Sequence, residues 1–385
     1  MLPLVLLLLH LLPSLAIDCS FSSSYPRQLI AYETSAGSLV LDGKLDDPAW
    51  AAVPFSENFV DISTAVAPAL RTNVKVRWDA EHLYVGAYLQ EPQIWANISY
   101  TCHCINPAED QVIFHDNDFE IFVDADGSTH FYKETEVNAA NGNGTSATWD
   151  LCLNKPYDDG GGENSTRVFG PAGWDMYPIV RTWTDGVLNV PGSGATHWSA
   201  EIALPLASLA YNTTASVPPR DGDQWRINFS RVEWAIKVVD GRFQKYPSCQ
   251  SCPVPGTAVE DNWVWTPQGV IAMHEPETWG VLQFSSAAPN STAPVRNPEW
   301  TIRSVSMAVY RAQHAYAAAH NGTFASALAD LLPFAADPAA INGTCSAPPA
   351  LTVGAAGGFS ARIASLDGTQ LATIRDDRYL RVYSA

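Results

Sequence analysis

The chain has 385 residues and carries 40 acidic against 22 basic side chains, a formal charge of −18. A field of that sign repels nucleic acid and anionic membranes, and it leaves neutral sugars and bound calcium as compatible partners. No run after residue 16 approaches the roughly 20 apolar residues of a membrane span, so a soluble product with no transmembrane segment is expected; oligomeric state is not legible.

The first 16 residues, MLPLVLLLLHLLPSLA, form a Leu-rich stretch too short to span a bilayer and ending on Ser14-Leu15-Ala16, small residues that suit signal-peptidase cleavage. The expectation is a secreted, extracellular protein. Sequons at Asn97, Asn143, Asn164, Asn212, Asn228, Asn290, Asn321 and Asn342 fit a glycoprotein; Asn228 lies within a strand pattern and is expected to stay unmodified. All seven cysteines follow the leader. Cys102-His103-Cys104 and Cys249-x-x-Cys252 have zinc-like spacing, but in an oxidising compartment disulfides are the preferred reading. Connectivity does not follow from spacing, and an odd set leaves one thiol over.

Strand patterns then dominate. Ile30 to Val40 reads as a first strand, followed by the turn-rich LDGKLDDPAW. In TNVKVRWDAEHLYVGAYLQEP, Val74, Val76 and Trp78 share a face, the pattern breaks at Asp79 to His82, and a second run covers Leu83 to Leu89. That is a hairpin signature. HDNDFEIFVDADGSTHFYKETEVNA repeats it, with Phe119, Ile121 and Val123 alternating against Glu120, Phe122 and Asp124 around an Ala125-Asp126-Gly127 turn. HWSAEIALPLASL, DQWRINFSRVEW and TWGVLQF continue the alternation. The fold class expected is all-β, an antiparallel β-sandwich over residues 17–285. Long loops, Gln90 to Val112, Asn138 to Trp174 and Ile236 to Asn262, interrupt it, and long loops tend to carry function. A Pro/Ser/Ala linker over 286–298 leads to a small α+β appendage, 299–385, of unknown role. There Ile302, Val305, Val309, Ala312 and Tyr316 have helical spacing, and strands are expected from Phe359 to Tyr383.

EDNWVWTPQGVIAMHEPETWGVLQF crowds Trp263, Trp265 and Trp279 among amides and acids. Aromatic faces flanked by hydrogen-bonding groups suit a sugar ring, although most tryptophans in a β-protein are core. Arg231 and Glu233 alternate onto the face of Trp225, Ile227 and Phe229. They form either an ion pair inside the sandwich or the floor of a pocket. Asp116, Asn117 and Asp118 precede a strand, and Asp124 and Asp126 line its turn; calcium takes such oxygens, and hairpin turns hold them for backbone reasons alone. The sequence holds no GxSxG elbow, HExxH or P-loop. Carboxylates such as Glu120, Glu134, Glu233 and Asp150 leave a hydrolase open, because their separations are invisible.

The ordered set LDGKLDDPAW, VKVRWDAEHLYVGAYLQEP, HDNDFEIFVDADGSTHFYKETEVNA, WRINFSRVEW and WGVLQF, over about residues 38–284, resembles the family 9 carbohydrate-binding modules and family 9-like extracellular proteins. The resemblance implies a β-sandwich with structural calcium, expected at Asp124 and Asp126. It also implies a slot in which two aromatic rings clasp a terminal sugar, in modules that accompany polysaccharide-degrading enzymes. Asn262 and Trp265 are similar to the family's sugar-contacting Asn and Trp. The partner aromatic would fall near Phe114 or His115, where this sequence departs from the pattern. The expected sugar site comprises Trp265, with Trp263 or Trp149 as a second wall, and Asn262, Glu134, Asn138 and Lys155 as hydroxyl partners. The function expected is non-covalent carbohydrate binding. The rivals are a polysaccharide hydrolase and a structural or adhesion module without a sugar site.

Overall fold

The computed structural model describes residues 17–98, 112–140, 148–156, 174–246 and 260–385. They form two compact units, one of residues 26–297 with 377–381, the other of the N-terminal segment to Tyr25 with 298–376 and 382–385.

The larger unit contains β1 (Gln28–Glu33), β2 (Val60–Asp61), β3 (Thr72–Trp78), β4 (His82–Gln90), β5 (Asp118–Asp124), β6 (Tyr132–Asn138), β7 (Thr148–Leu153), β8 (Ile179–Thr184), β9 (His197–Pro205), β10 (Gln224–Trp234), β11 (Ile236–Val239), β12 (Arg242–Lys245), β13 (Glu260–Val264) and β14 (Gly280–Ser285). Twelve of them hydrogen-bond into one curled sheet, in the order β7-β6-β5-β10-β14-β1-β3-β4-β9-β8, with β13 joining β10 to β2. Strands β11 and β12 form a separate hairpin. The period-2 pattern explains the closure. Val74, Val76 and Trp78 of β3 and Ile202 and Leu204 of β9 share one core with Phe119 and Ile121 of β5 and Trp225, Ile227 and Phe229 of β10. The two halves of the sheet thus face each other as a β-sandwich. Strand β1 links them and pairs in parallel with both β14 and β3, whereas the hairpins around it are antiparallel.

The LDGKLDDPAW turn is fixed by one buried acid. Glu201 on β9 accepts the backbone N–H groups of Asp42 and Gly43, both at 2.7 Å, and the indole N–H of Trp50 at 2.6 Å. Gly43 has φ +90°, and a Cβ there would lie 2.4 Å from the Thr182 backbone, so only glycine fits.

Residues 286–297 do not behave as a free linker. The Val295 carbonyl accepts from Gln28 and Gln224, its N–H donates to Gln283, and the Asn290 amide donates to the Ala52 carbonyl. Polar side chains of β1, β10 and β14 strap the segment onto the sandwich, a contact that composition does not reveal. Asn228 is fully buried, its side chain bonded to Thr266, where no glycan fits.

In the smaller unit the helix Trp300–Ala319 buries Ile302, Val305, Val309 and Ala312, and it packs against strands of the four-stranded sheet β15 (Ala350–Val353), β16 (Phe359–Ala364), β17 (Gln370–Arg375) and β18 (Leu380–Ser384). The described N-terminal residues belong here rather than to the sandwich, because Cys19 is disulfide-bonded to Cys345. Cys19→Ser is expected to lower the stability of this unit by about 2–5 kcal/mol. Thermal unfolding with and without reductant checks this; identical midpoints for wild type and variant in the absence of reductant would contradict it.

Candidate functional site

The polar face of a half-buried strand normally meets water. Here it does not. On β5 the side chains that alternate with the core set are Asp118, Glu120, Phe122 and Asp124. On β6 the corresponding residues are Glu134, Glu136 and Asn138, and all of these are 5% exposed or less. Register sets Glu120 opposite Glu136, Asp118 opposite Asn138 and Phe122 opposite Glu134. A second apolar cluster, with Ile62, Ile113, Phe122, Tyr132, Leu151, Met273 and Trp279, closes over this face.

One carboxylate oxygen from each of Asp118, Glu120 and Glu136 lies within 4.8 Å of the others. Asp118 Oδ1 accepts the Val232 N–H at 3.2 Å, while its buried Oδ2 has no hydrogen-bond partner among the described residues. Glu136 Oε2 accepts the Phe114 N–H at 2.9 Å, holding the 3-10 turn Ile113–His115 above the acids. Burial, opposed by the Ser230 hydroxyl, pushes Glu120 up to about 7. Burial and the neighbouring carboxylates, Glu120 among them, push Asp118 and Glu136 well above the usual carboxylate range.

Directly after that turn the chain opens into a pocket of about 720 Å³, lined by Trp95, Asn97, Ile98, Val112, His115, Asp116, Phe243, Gln244 and Lys245. Asp116 forms its floor. One oxygen, Oδ2, accepts N–H groups from Asn97, Ile98 and Asn138 at 2.7, 2.7 and 3.0 Å. The Lys245 ammonium lies 3.6 Å from the ring centre of Trp234 and 5.5 Å from that of Trp95, and it donates to the His115 carbonyl. Burial draws its pKa down, against the pull of Asp116 and Glu260. The Trp95 indole N–H is buried and has no acceptor among the described residues. Aromatic walls with an amide, an imidazole and an ammonium at the rim form a surface that can hold a small polar ligand with apolar faces.

The expected site residues fall in several places. Trp265 is fully buried and Trp263 is 6% exposed, both in the sandwich core. Trp265 lies 5.8 Å from Phe229, and a Cβ at Gly280 would come within 2.1 Å of its ring. Neither indole offers a face to a sugar, so the stacking roles expected of them are corrected: residues 263–265 turn into the core, where large rings fill volume. Asn262 is half-buried on β13 and its carbonyl accepts the Ile62 N–H at 3.0 Å. Glu134 is buried within the acid bed and does not line the pocket. Asn138 is also buried, but it reaches the site through Asp116. Lys155 is half-buried after β7 and is not among the lining residues.

Asp126 accepts from Ser128 N–H in its own turn and from the N–H and hydroxyl of Thr214, 88 residues on. Burial works against these bonds, yet its pKa is lowered. Asp124 accepts the Thr129 N–H at 2.7 Å. Both carboxylates thus take part in hydrogen bonds that hold the hairpin turn and the Thr214 segment in place. The leader, the Trp149 side chain, Cys102-His103-Cys104 and Cys249-x-x-Cys252 lie outside the described residues.

Sequence reasoning missed Trp95, Phe243, Gln244 and Lys245. Their signal was position, since they lie on or beside two of the three long loops.

Residues 41–162 match the family model described as carbohydrate family 9 binding domain-like, which bears out the resemblance carried by the sequence segments. Trp95, Asn97, Ile98, Val112, His115 and Asp116 of the pocket fall inside the matched span. No match is found among curated proteins. The chain is similar to a candidate carbohydrate-binding protein from Bacteroides uniformis ATCC 8492, at 15% identity and TM-score 0.40, over 68% of this chain and 100% of that one. It is also similar to a family 9 carbohydrate-binding module from Caldicellulosiruptor kristjanssonii. In complex with cellotriose the values are 15% identity, TM-score 0.35, and 71% and 100% coverage. In complex with glucose they are 14%, 0.34, and 70% and 100%.

Proposed function

We propose that the sandwich unit, which carries a carbohydrate family 9 binding domain-like segment, binds carbohydrate non-covalently in the pocket between Trp95 and Phe243. One observation carries the reading: six of the nine pocket-lining residues belong to the family-matched segment, and they bring an aromatic wall together with hydrogen-bonding groups. Trp95 and Phe243 reach the pocket with only 4% and 8% of their surface exposed, so the apolar faces of a sugar ring would meet ring edges there rather than open stacking faces. Its hydroxyls would meet Gln244, Asn97 and the Lys245 ammonium. Export of the protein as a glycoprotein is part of the proposal. It is supported by the Leu-rich leader, the sequons and the Cys19–Cys345 disulfide.

Calorimetric titration with a panel of mono- and oligosaccharides tests the site. The expected result is saturable heat with no new reducing ends. Gln244 is exposed, so Gln244→Ala is expected to leave the unfolding temperature unchanged while weakening affinity about fivefold, the worth of one hydrogen bond of about 1 kcal/mol. New reducing ends would favour a hydrolase. Heat that is identical in wild type and Gln244→Ala would place the sugar elsewhere, and silence across the panel would overturn the reading.

A further inference from the structure

We propose that Asn97, the first residue of the sequon Asn97-Ile98-Ser99 and part of the pocket wall, carries an N-linked glycan whose first sugar occupies that pocket. The chain's own glycan is then the pocket's resident ligand. The proposal rests on the carbohydrate reading of the pocket and on export of the chain as a glycoprotein.

Three observations lead there. The first is position. Among the described residues the sequon asparagines are Asn97, Asn212, Asn228, Asn290, Asn321 and Asn342, and of these Asn97 alone lines the pocket. Its side chain is exposed, whereas Asn228 is fully buried and the Asn290 amide is bonded to the Ala52 carbonyl at 2.9 Å. The second is rigidity. The N–H groups of Asn97 and Ile98 both donate to Asp116 Oδ2 at 2.7 Å, and the Ile98 carbonyl accepts the Asn138 amide at 2.9 Å. One residue earlier, the Asn189 side chain accepts the Ala96 N–H at 3.0 Å and donates to the Ala96 carbonyl at 2.6 Å. A glycan on Asn97 therefore starts from a fixed point in the wall that also holds Gln244 and Lys245. The third is size. A volume of about 720 Å³ lies inside the roughly 300–1,000 Å³ range of small-ligand pockets and has room for the first sugar of a glycan.

Tethering decides the competition. A sugar attached to the pocket wall meets the site at an effective concentration of about millimolar or above, because its tether is no longer than the site itself. A pocket that binds free sugar with millimolar affinity is therefore filled by its own glycan first, and a free sugar must displace it. The chemistry of the glycan suits the lining. An N-glycan begins with a 2-acetamido sugar, whose amide carbonyl can accept from the Lys245 ammonium or the Gln244 amide and whose hydroxyls can meet His115. Removing the glycan opens the pocket, so modification of Asn97 sets whether the chain binds free carbohydrate.

The experiment uses the full chain secreted from a eukaryotic host as wild type, as Ser99→Ala and as Ser99→Thr. The first substitution removes the sequon and leaves Asn97 in place; the second keeps the sequon. Thr323→Ala, which removes the sequon of Asn321 in the smaller unit, controls for the loss of a glycan elsewhere. Wild-type chain from a host that does not glycosylate gives the same comparison without a substitution. Glycopeptide mass spectrometry is expected to find Asn97 occupied in wild type, Ser99→Thr and Thr323→Ala. Ser99→Ala is expected to bind sugars of the calorimetric panel about tenfold more tightly than these three, because its pocket is open. Amide hydrogen exchange at Phe243, Gln244 and Lys245, far from Asn97 in sequence, is expected to be slower in wild type than in Ser99→Ala. An unmodified Asn97 in the secreted wild type would overturn the proposal. So would a modified Asn97 with equal exchange in the two forms, or with equal sugar affinity, since the glycan then points into solvent. Silence of every form across the panel counts against the carbohydrate reading alone, and the exchange comparison still decides whether the glycan occupies the pocket.

Discussion

Trp265→Ala is expected to unfold the sandwich rather than to strip it of affinity, with a loss of about 3–5 kcal/mol of stability. The indole is fully buried, tilted against Phe229 at 5.8 Å, and seated where a Cβ at Gly280 would come within 2.1 Å of it. Its N–H reaches Glu57 Oε2 at 3.2 Å. Truncation removes the apolar burial, opens a cavity that β10 and β14 cannot collapse into, and leaves Glu57 without that donor. Gly280→Ala tests the same packing from the other side, since the added methyl must displace the ring and overpacking costs about 1–3 kcal/mol. Denaturant unfolding measures both. A Trp265→Ala protein with wild-type stability and weakened sugar binding would reverse the assignment and restore an open stacking surface at this position.

The misplacement of Trp265 shows what periodicity carries and what it does not. In β3, β5 and β10 the alternating residues Val74/Val76, Phe119/Ile121 and Ile227/Phe229 named the core face because a strand has a period of two. The order of those strands, with the LDGKLDDPAW turn, sufficed to name the family whose model residues 41–162 match. Trp263 and Trp265 are also two residues apart, but β13 ends at Val264. Trp265 stays on the core face that Trp263 occupies, as a period of two requires, and nothing local distinguishes that face from an open one. The second face of β5 and β6 raises a different difficulty. Alternation identifies Asp118, Glu120, Glu134 and Glu136 as sharing a face, yet nothing local states that Ile113, Met273 and Trp279 will cover it. Met273 and Trp279 come from a distant part of the chain, and their docking beside Ile113, just ahead of β5, is a tertiary outcome. The pocket was legible only as a warning that long loops carry function. Its walls, Trp95 and Phe243, come from segments that no short-range pattern connects.

Arg231 is the place where the sequence posed a choice that the structure resolves, and it supports the second large expected effect. The guanidinium is 1% exposed and bonds to Glu91 at 2.9 Å and to Glu233 at 2.8 Å, with Thr72 and the Gln90 carbonyl taking further N–H groups. Its plane lies 5.0 Å from the Trp263 ring centre. One cation shared by two buried acids leaves a surplus negative charge. Glu233 is accordingly pushed up to about 8, by burial first and by Glu91, against the pull of Arg231. Arg231→Met removes the partner that both acids share among the described residues and is expected to cost about 3–5 kcal/mol at pH 8. The sign with pH follows from linkage. Without the guanidinium the folded-state pKa of Glu233 rises further above its unfolded value. The variant then holds protons that the wild type releases, and its deficit shrinks as pH falls toward 5 and grows as pH rises. Adding Glu233→Gln to the variant removes one of the two charges and should restore part of the stability. Urea unfolding at pH 5 and pH 8 measures the series. A deficit equal at both pH values would mean that packing of the Arg231 stem against Trp263, rather than charge, is what the residue contributes. A ligand-binding role would instead appear as lost affinity in a protein of unchanged stability, an outcome at odds with a guanidinium whose donors are already directed at protein oxygens.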